Sequence, residues 1–143
     1  HLVGTPYFMS TEQAQAHQDL DFRTDLYSVG CTLYNMIVGD VPFEGGSIME
    51  IMEHKFADKV VPPKELRPYI SKSTDKLMLE MIASNKDKRP KSYDDLEAKL
   101  EKCLRVAEKR KQVSDDNKQS KMIKTVVIPL VLVIVILVIV LAL

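Results

Sequence analysis

Residues 24–43, TDLYSVGCTLYNMIVGDVPF, limit what this chain can fold into more than any other stretch. At about 100° per residue, Leu26, Tyr27, Val29, Cys31, Leu33, Tyr34, Met36, Ile37 and Val38 surround nearly the whole of a helix. Asp25, Ser28, Thr32 and Asn35 are left on one narrow polar seam. A helix apolar almost all round belongs in an interior, and this one is too short and too polar along its seam to span a bilayer. Gly30 lies roughly opposite the seam, where a missing side chain lets a neighbouring element come close. Gly39 supplies the left-handed residue that ends such a helix, and Pro42 prevents its resumption. The rest of a helical domain is therefore expected to pack around this pillar. Asp25, in its first turn, admits two readings. It is a surface charge favoured by the helix dipole, or a buried carboxylate held by several donors.

Composition narrows the function classes. The 143 residues carry no net formal charge, with 20 basic and 20 acidic side chains. That leaves no case for nucleic acid, which would call for a basic stripe with stacking aromatics. The two cysteines, Cys31 and Cys103, stand far apart and match no metal spacing. As isolated thiols on helical segments they fit small core residues in a reducing compartment. The chain opens at His1 with neither a signal peptide nor a methionine, as expected of the later part of a longer polypeptide.

Residues 1–11 read as loop, because Gly4-Thr5-Pro6 interrupts any helix. Ser10 with Gln13 forms a capping box for a short helix reaching about His17, and residues 19–23 connect it to the pillar. Ser47 with Glu50 makes a second capping box, opening a helix whose Ile48, Ile51, Met52 and Phe56 form an apolar stripe. Pro62, Pro63 and Pro68 then enforce an extended, irregular crossing between Ala57 and Lys72. Ser71 or Ser73 starts the next helix, with Leu77, Met78, Met81 and Ile82 on its apolar face. Residues 85–90, NKDKRP, are a tight polar loop. Ser92 with Asp95 caps a last amphipathic helix carrying Leu96, Leu100, Cys103, Leu104 and Ala107. Neither a strand pattern nor an internal repeat is present.

Beyond Glu108 the apolar stripe stops, and residues 109–125 are expected to be a basic hydrophilic linker. Residues 126–143, VVIPLVLVIVILVIVLAL, contain not one polar side chain. At about 1.5 Å per residue they would reach roughly 27 Å, close to the ~30 Å of a hydrocarbon core. We expect one transmembrane helix there, with Pro129 near its start, where a missing donor costs least. Lys109, Arg110, Lys111, Lys118, Lys121 and Lys124 all precede it. They orient residues 1–124 to the cytoplasm of a single-pass membrane protein, with the lipid bilayer as a partner. The end at Leu143 fits a truncation or a tail anchor.

Taken together, the motifs resemble the distal C-lobe of a serine/threonine protein kinase of the eukaryotic-like type found in bacterial receptor kinases. Residues 4–12, GTPYFMSTE, resemble the substrate-reading loop and the element that closes the activation segment. Residues 25–30, DLYSVG, resemble the start of the family's central helix, and the 39–43 ending and Lys88-Arg89-Pro90 also match. The implied fold is mainly α: the activation-segment end plus C-lobe helices over 1–108, then the 109–125 linker and the 126–143 span.

The resemblance also implies roles. Gly4, Thr5 and Pro6 form the substrate loop, with Thr5 contacting a catalytic aspartate and shaping a site for a Ser or Thr acceptor. Glu12 pairs with Arg89. Asp25 bonds to the backbone of the catalytic loop, which tips its two readings towards burial. The helices opening at Ser47 and Ser73 resemble the substrate- and partner-docking part of the lobe. Thr11 departs from the family, standing where a proline is usual, and Phe8 stands where a tyrosine is more familiar. Neither removes a reacting group.

His17-Gln18-Asp19 and Asp21-Phe22-Arg23 imitate the catalytic-loop and magnesium motifs. Both follow the substrate loop instead of preceding it, and they are too close together to be those motifs. This chain is thus expected to hold no catalytic residue and no cofactor or metal ligand. ATP and Mg2+ belong to the intact parent, whose N-terminal kinase part would be a partner, along with protein substrates bearing Ser or Thr. Two alternatives are a membrane-tethered pseudokinase or docking module, and an unrelated helical tail-anchored protein. The last is disfavoured because Glu12, Asp25 and Arg89 all fall at family positions.

Overall fold

The computed structural model describes residues 6–128, and every regular element among them is helical. The chain divides into two compact units, His1–Leu104 and Arg105–Leu143.

In the first unit, α1 (Thr11–Ala14) is opened by the Ser10 capping box. The Gln13 amide donates to Ser10 Oγ at 3.3 Å, and the Ser10 amide to Gln13 Oε1 at 3.0 Å. It stops short of the expected His17 because Ala16 adopts a left-handed φ of 55°. The pillar, α2 (Phe22–Val38), starts ahead of Thr24 because Asp21 caps it, its carboxylate accepting the Arg23 amide at 2.9 Å. Gly39 ends it at φ 89°, donating to Asn35 O at 2.8 Å. The Arg67 guanidinium donates to Val38 O, where the dipole favours a cation.

Tyr27, Cys31, Tyr34 and Val38, spaced four, three and four apart, form the buried face of α2 and the core with Phe43 and Ile82. The expectation of burial all round is corrected here. Val29 is 55% and Met36 77% exposed, on the side of the polar seam. The reason is that α4 (Pro63–Leu66) and α5 (Lys72–Met81) pack against α2 and leave the seam side to solvent. Gly30 makes the close approach to α5. A Cβ there would lie 2.7 Å from Met81 Cβ and 2.8 Å from Ile82 Cγ2.

Helix α3 (Ile48–Phe56) is capped by Ser47, which accepts from the Glu50 amide at 3.2 Å. The Glu50 carboxylate takes the Gly46 amide at 2.8 Å, so the reciprocal half of the expected box is made one residue upstream. The buried positions of α3 are Ile51 and Lys55, whereas Ile48 and Phe56 are exposed. The proline-rich crossing is not wholly extended: α4 forms with Pro63 in its first turn, where a fixed φ suits a helix and no donor is needed. Asp75 Oδ1 accepts the Lys64 amide at 2.7 Å, joining α4 to α5. Ser71, rather than Ser73, caps α5, and Leu77, Met78, Met81 and Ile82 are buried as their spacing predicts.

A 3-10 turn, Lys86–Lys88, leads to α6 (Tyr93–Met122), which Ser92 opens by accepting the Asp95 amide at 3.1 Å. No residue of α6 is buried. Leu100 and Leu104, expected on a packed face, are exposed. Its first turns are attached mainly by polar and ring contacts, Lys99 to Glu80 at 3.0 Å and Tyr93 against Phe22 at 5.0 Å.

In the second unit the hydrophilic run expected as a linker is helical through Met122, followed by a π turn over Ile123–Val127. Its lysines, arginines and glutamines are good helix formers. Among the described residues no helix is long and apolar enough to cross a membrane. Residues 129–143, most of the expected span, lie outside the described residues.

Candidate functional site

The cap at Ser10 turns the chain so that Glu12 enters the first turn of α1 pointing inward, and Glu12 is only 5% exposed. From the far end of the unit, the 3-10 turn delivers Arg89, 1% exposed, to the same place. The two meet as a fork. Arg89 Nη1 donates to Glu12 Oε1 at 2.7 Å and Nη2 to Oε2 at 2.9 Å. The remaining guanidinium hydrogens go to backbone carbonyls: Nε to Ala83 O at 2.9 Å, Nη1 to Arg23 O at 2.9 Å and Nη2 to Ser84 O at 3.4 Å. Thr24, in the first turn of α2, donates its hydroxyl to Glu12 Oε1 at 2.9 Å. Thr11 donates to Ser84 O at 2.7 Å, so the residue that departs from the family proline adds a bond to this cluster. The Tyr27 ring lies 4.7 Å beneath Arg89 Cζ.

Burial by itself would raise the Glu12 carboxyl. The hydrogen bonds and charge of Arg89 overcome it and hold the group at about 2. A planar five-donor fork matched to a carboxylate is the arrangement that makes a buried pair tolerable. It is a brace, with no reacting group in it.

The second part is the turn ahead of α1. Pro6 is half-buried there, and Gly4 and Thr5 lie outside the described residues. The Tyr7 and Met9 carbonyls accept from Lys55 Nζ at 3.0 and 2.6 Å, and Phe8 O accepts from Ser28 Oγ at 2.9 Å. The carbonyls of three consecutive residues are thus held from α2 and α3.

Asp25 is exposed, and its carboxylate has no partner among the described residues. The catalytic loop that the family resemblance assigns to it would precede His1. Asp19 and Asp21 do not fit a magnesium site. Asp19 is held by Lys86 at 2.7 Å, which lowers its pKa, and Asp21 is the α2 cap, held at about 2 by its bonds to Arg23. Among the described residues no three His, Cys, Asp or Glu side chains could hold a metal ion.

Sequence reasoning missed Thr24, Lys55 and the three carbonyls around Arg89. Carbonyl positions leave no trace in residue type. Lys55 did leave one, standing four residues after Ile51 and seven after Ile48 on the face expected to be apolar.

A helical lobe built on one central helix, with a buried glutamate–arginine fork joining the segment before that helix to the loop before the last one, defines the helical half of a protein kinase. The protein kinase domain model matches residues 1–123, and the chain belongs to that family. It is similar to a probable serine/threonine-protein kinase of Clostridium perfringens, 30% identical over 131 residues, covering 90% of this chain and 19% of the relative. It is also similar to serine/threonine-protein kinase pkn3 of Myxococcus xanthus, 34% identical over 131 residues, covering 90% of this chain and 23% of that protein. With PknB of Mycobacterium leprae it shares 31% identity over 99 residues, 69% of this chain and 16% of PknB. The chain therefore spans less than a quarter of the length of these relatives.

Proposed function

We propose that this chain is the C-terminal part of a membrane-anchored serine/threonine protein kinase, supplying the substrate-reading loop and the scaffold of its helical lobe. The observation that carries the reading is the buried Glu12–Arg89 fork. It fixes the end of the 6–12 segment against the lobe, so that the loop ahead of it can be held at a constant height. Phosphoryl transfer depends mostly on positioning and charge neutralisation, and this chain contributes the positioning. Gly4, Thr5 and Pro6 would form the substrate loop, shaping a site for a Ser or Thr acceptor, and Asp25 would bond to the backbone of the catalytic loop. ATP with Mg2+ is the phosphoryl donor of the intact protein, and its binding groups precede this chain. Residues 126–143 anchor the protein in the bilayer, residues 109–125 form the basic juxtamembrane segment, and residues 1–124 face the cytoplasm.

Two experiments test this. The full-length protein, given labelled ATP and Mg2+, should phosphorylate Ser or Thr in a protein substrate. Absence of transfer with retained capture of protein partners would make it a tethered docking module instead. Protease added to sealed right-side-out cells should leave residues 1–124 intact, and digestion from outside would reverse the orientation.

A further inference from the structure

Lys55 is the one buried lysine of α3, with no exposed area, and among the described residues no carboxylate pairs with it. Its ammonium bonds to Tyr7 O and Met9 O and lies over two rings, 5.0 Å from the centroid of Tyr27 and 5.8 Å from that of Phe43. Burying a cation without an anion works against stability, and an apolar side chain of the same length would fill the space without that cost. Burial accordingly pushes the ammonium down to about 8, with the neighbouring Cys31 opposing the shift, so that Lys55 remains charged at neutral pH. What the charge achieves is local: it clamps two carbonyls on either side of Phe8. The same Tyr27 ring also carries Arg89. One ring thus contacts two cations, one holding the carbonyls at residues 7 and 9 and the other the carboxylate at residue 12.

We propose that Lys55 is a positioning residue for the protein substrate: from α3 it fixes the Tyr7–Met9 turn, and through it the loop that meets the residues around the acceptor hydroxyl. This rests on the kinase reading above, and the Glu12–Arg89 fork alone does not supply it. The fork at residue 12 does not reach the turn; Ser28 Oγ holds Phe8 O from α2, and Lys55 adds the attachments at residues 7 and 9 from α3, which set the direction of the turn.

The test uses the full-length protein with Lys55→Met, which keeps an unbranched chain one atom shorter and removes the charge and donors, and Lys55→Arg, which keeps charge and donors. Two readouts are taken, steady-state kinetics on a Ser/Thr peptide and amide hydrogen exchange of the 6–12 segment. The expected result for Lys55→Met is a rise of about tenfold or more in peptide KM, with ATP KM within twofold of wild type and faster exchange confined to residues 6–12. Lys55→Arg should recover most of the KM. Should Lys55→Met fail to fold, Lys55→Gln, a shorter neutral donor, is read in the same way. Unchanged peptide KM and unchanged exchange in a folded variant overturn the proposal. An equal loss in both KM values also overturns it, because that is the mark of a merely structural residue. If wild type transfers no phosphate while exchange still rises in the variant, the kinase reading falls, and the attachment of the turn stands by itself.

Discussion

Replacing Arg89 by methionine keeps much of the side-chain volume and removes all five guanidinium donors. The structure shows what is left behind: a Glu12 carboxylate that is 5% exposed, with only hydroxyls to hold it, and the carbonyls of Arg23, Ala83 and Ser84 without their donor. Breaking a buried pair from one side costs about 3–5 kcal/mol. The carboxyl gives a second figure: its fall from 4.5 to about 2 corresponds to roughly 3 kcal/mol. Because the folded value lies below the unfolded one, this contribution is complete above about pH 4.5. It is lost as the pH falls from there to about 2. Urea unfolding of the chain in detergent, followed by circular dichroism, should therefore show Arg89→Met less stable by about 3–5 kcal/mol at pH 7. Near pH 3 the deficit should be visibly smaller. Since such domains have roughly 5–15 kcal/mol in all, the variant should be close to unfolding at 37 °C. Glu12→Gln should also destabilise. The double variant should lose less than the sum of the two by at least about 1 kcal/mol, because its groups share one network. Single variants within about 1 kcal/mol of wild type, or strict additivity, would refute the reasoning.

Gly30→Ala should lose about 1–3 kcal/mol in the same urea titration, because its Cβ would meet Met81 and Ile82 at 2.7 and 2.8 Å; unchanged stability would mean that α5 can shift away. Tyr27→Phe removes a buried hydroxyl that has no partner among the described residues. It should leave stability equal or slightly raised, and a loss above about 1 kcal/mol would reveal a bond to that oxygen. Asp21→Ala should cost about 1 kcal/mol by removing the α2 cap, measured as a lower melting temperature. The 143-residue chain itself should show no saturable Mg·ATP binding; binding with turnover that Asp19→Ala abolishes would show Asp19 to be catalytic.

Sequence by itself determined the pillar, its end at Gly39, the caps at Ser10, Ser47 and Ser92, and the pair Glu12 and Arg89; it left the cap of α5 between Ser71 and Ser73. These follow from local rules. A cap needs one side-chain oxygen a few residues from its amide, a helix end needs one left-handed residue, and a family motif needs only residue types in order. The polar seam and Gly30 marked which side of the pillar a neighbour approaches, and tertiary structure alone decided how far that cover extends. Val29 and Cys31 are equally apolar neighbours on α2, yet one is exposed and the other buried, because α5 lies against only one face. It also decided that Thr24 reaches Glu12 and that Lys55 is drawn under the Tyr7–Met9 turn. The acceptors there are mostly backbone carbonyls and carboxylate oxygens brought from distant parts of the chain. A lysine or threonine carries no mark of the partner it will meet, and only the packing of α1, α2 and α3 brings donor and acceptor within reach.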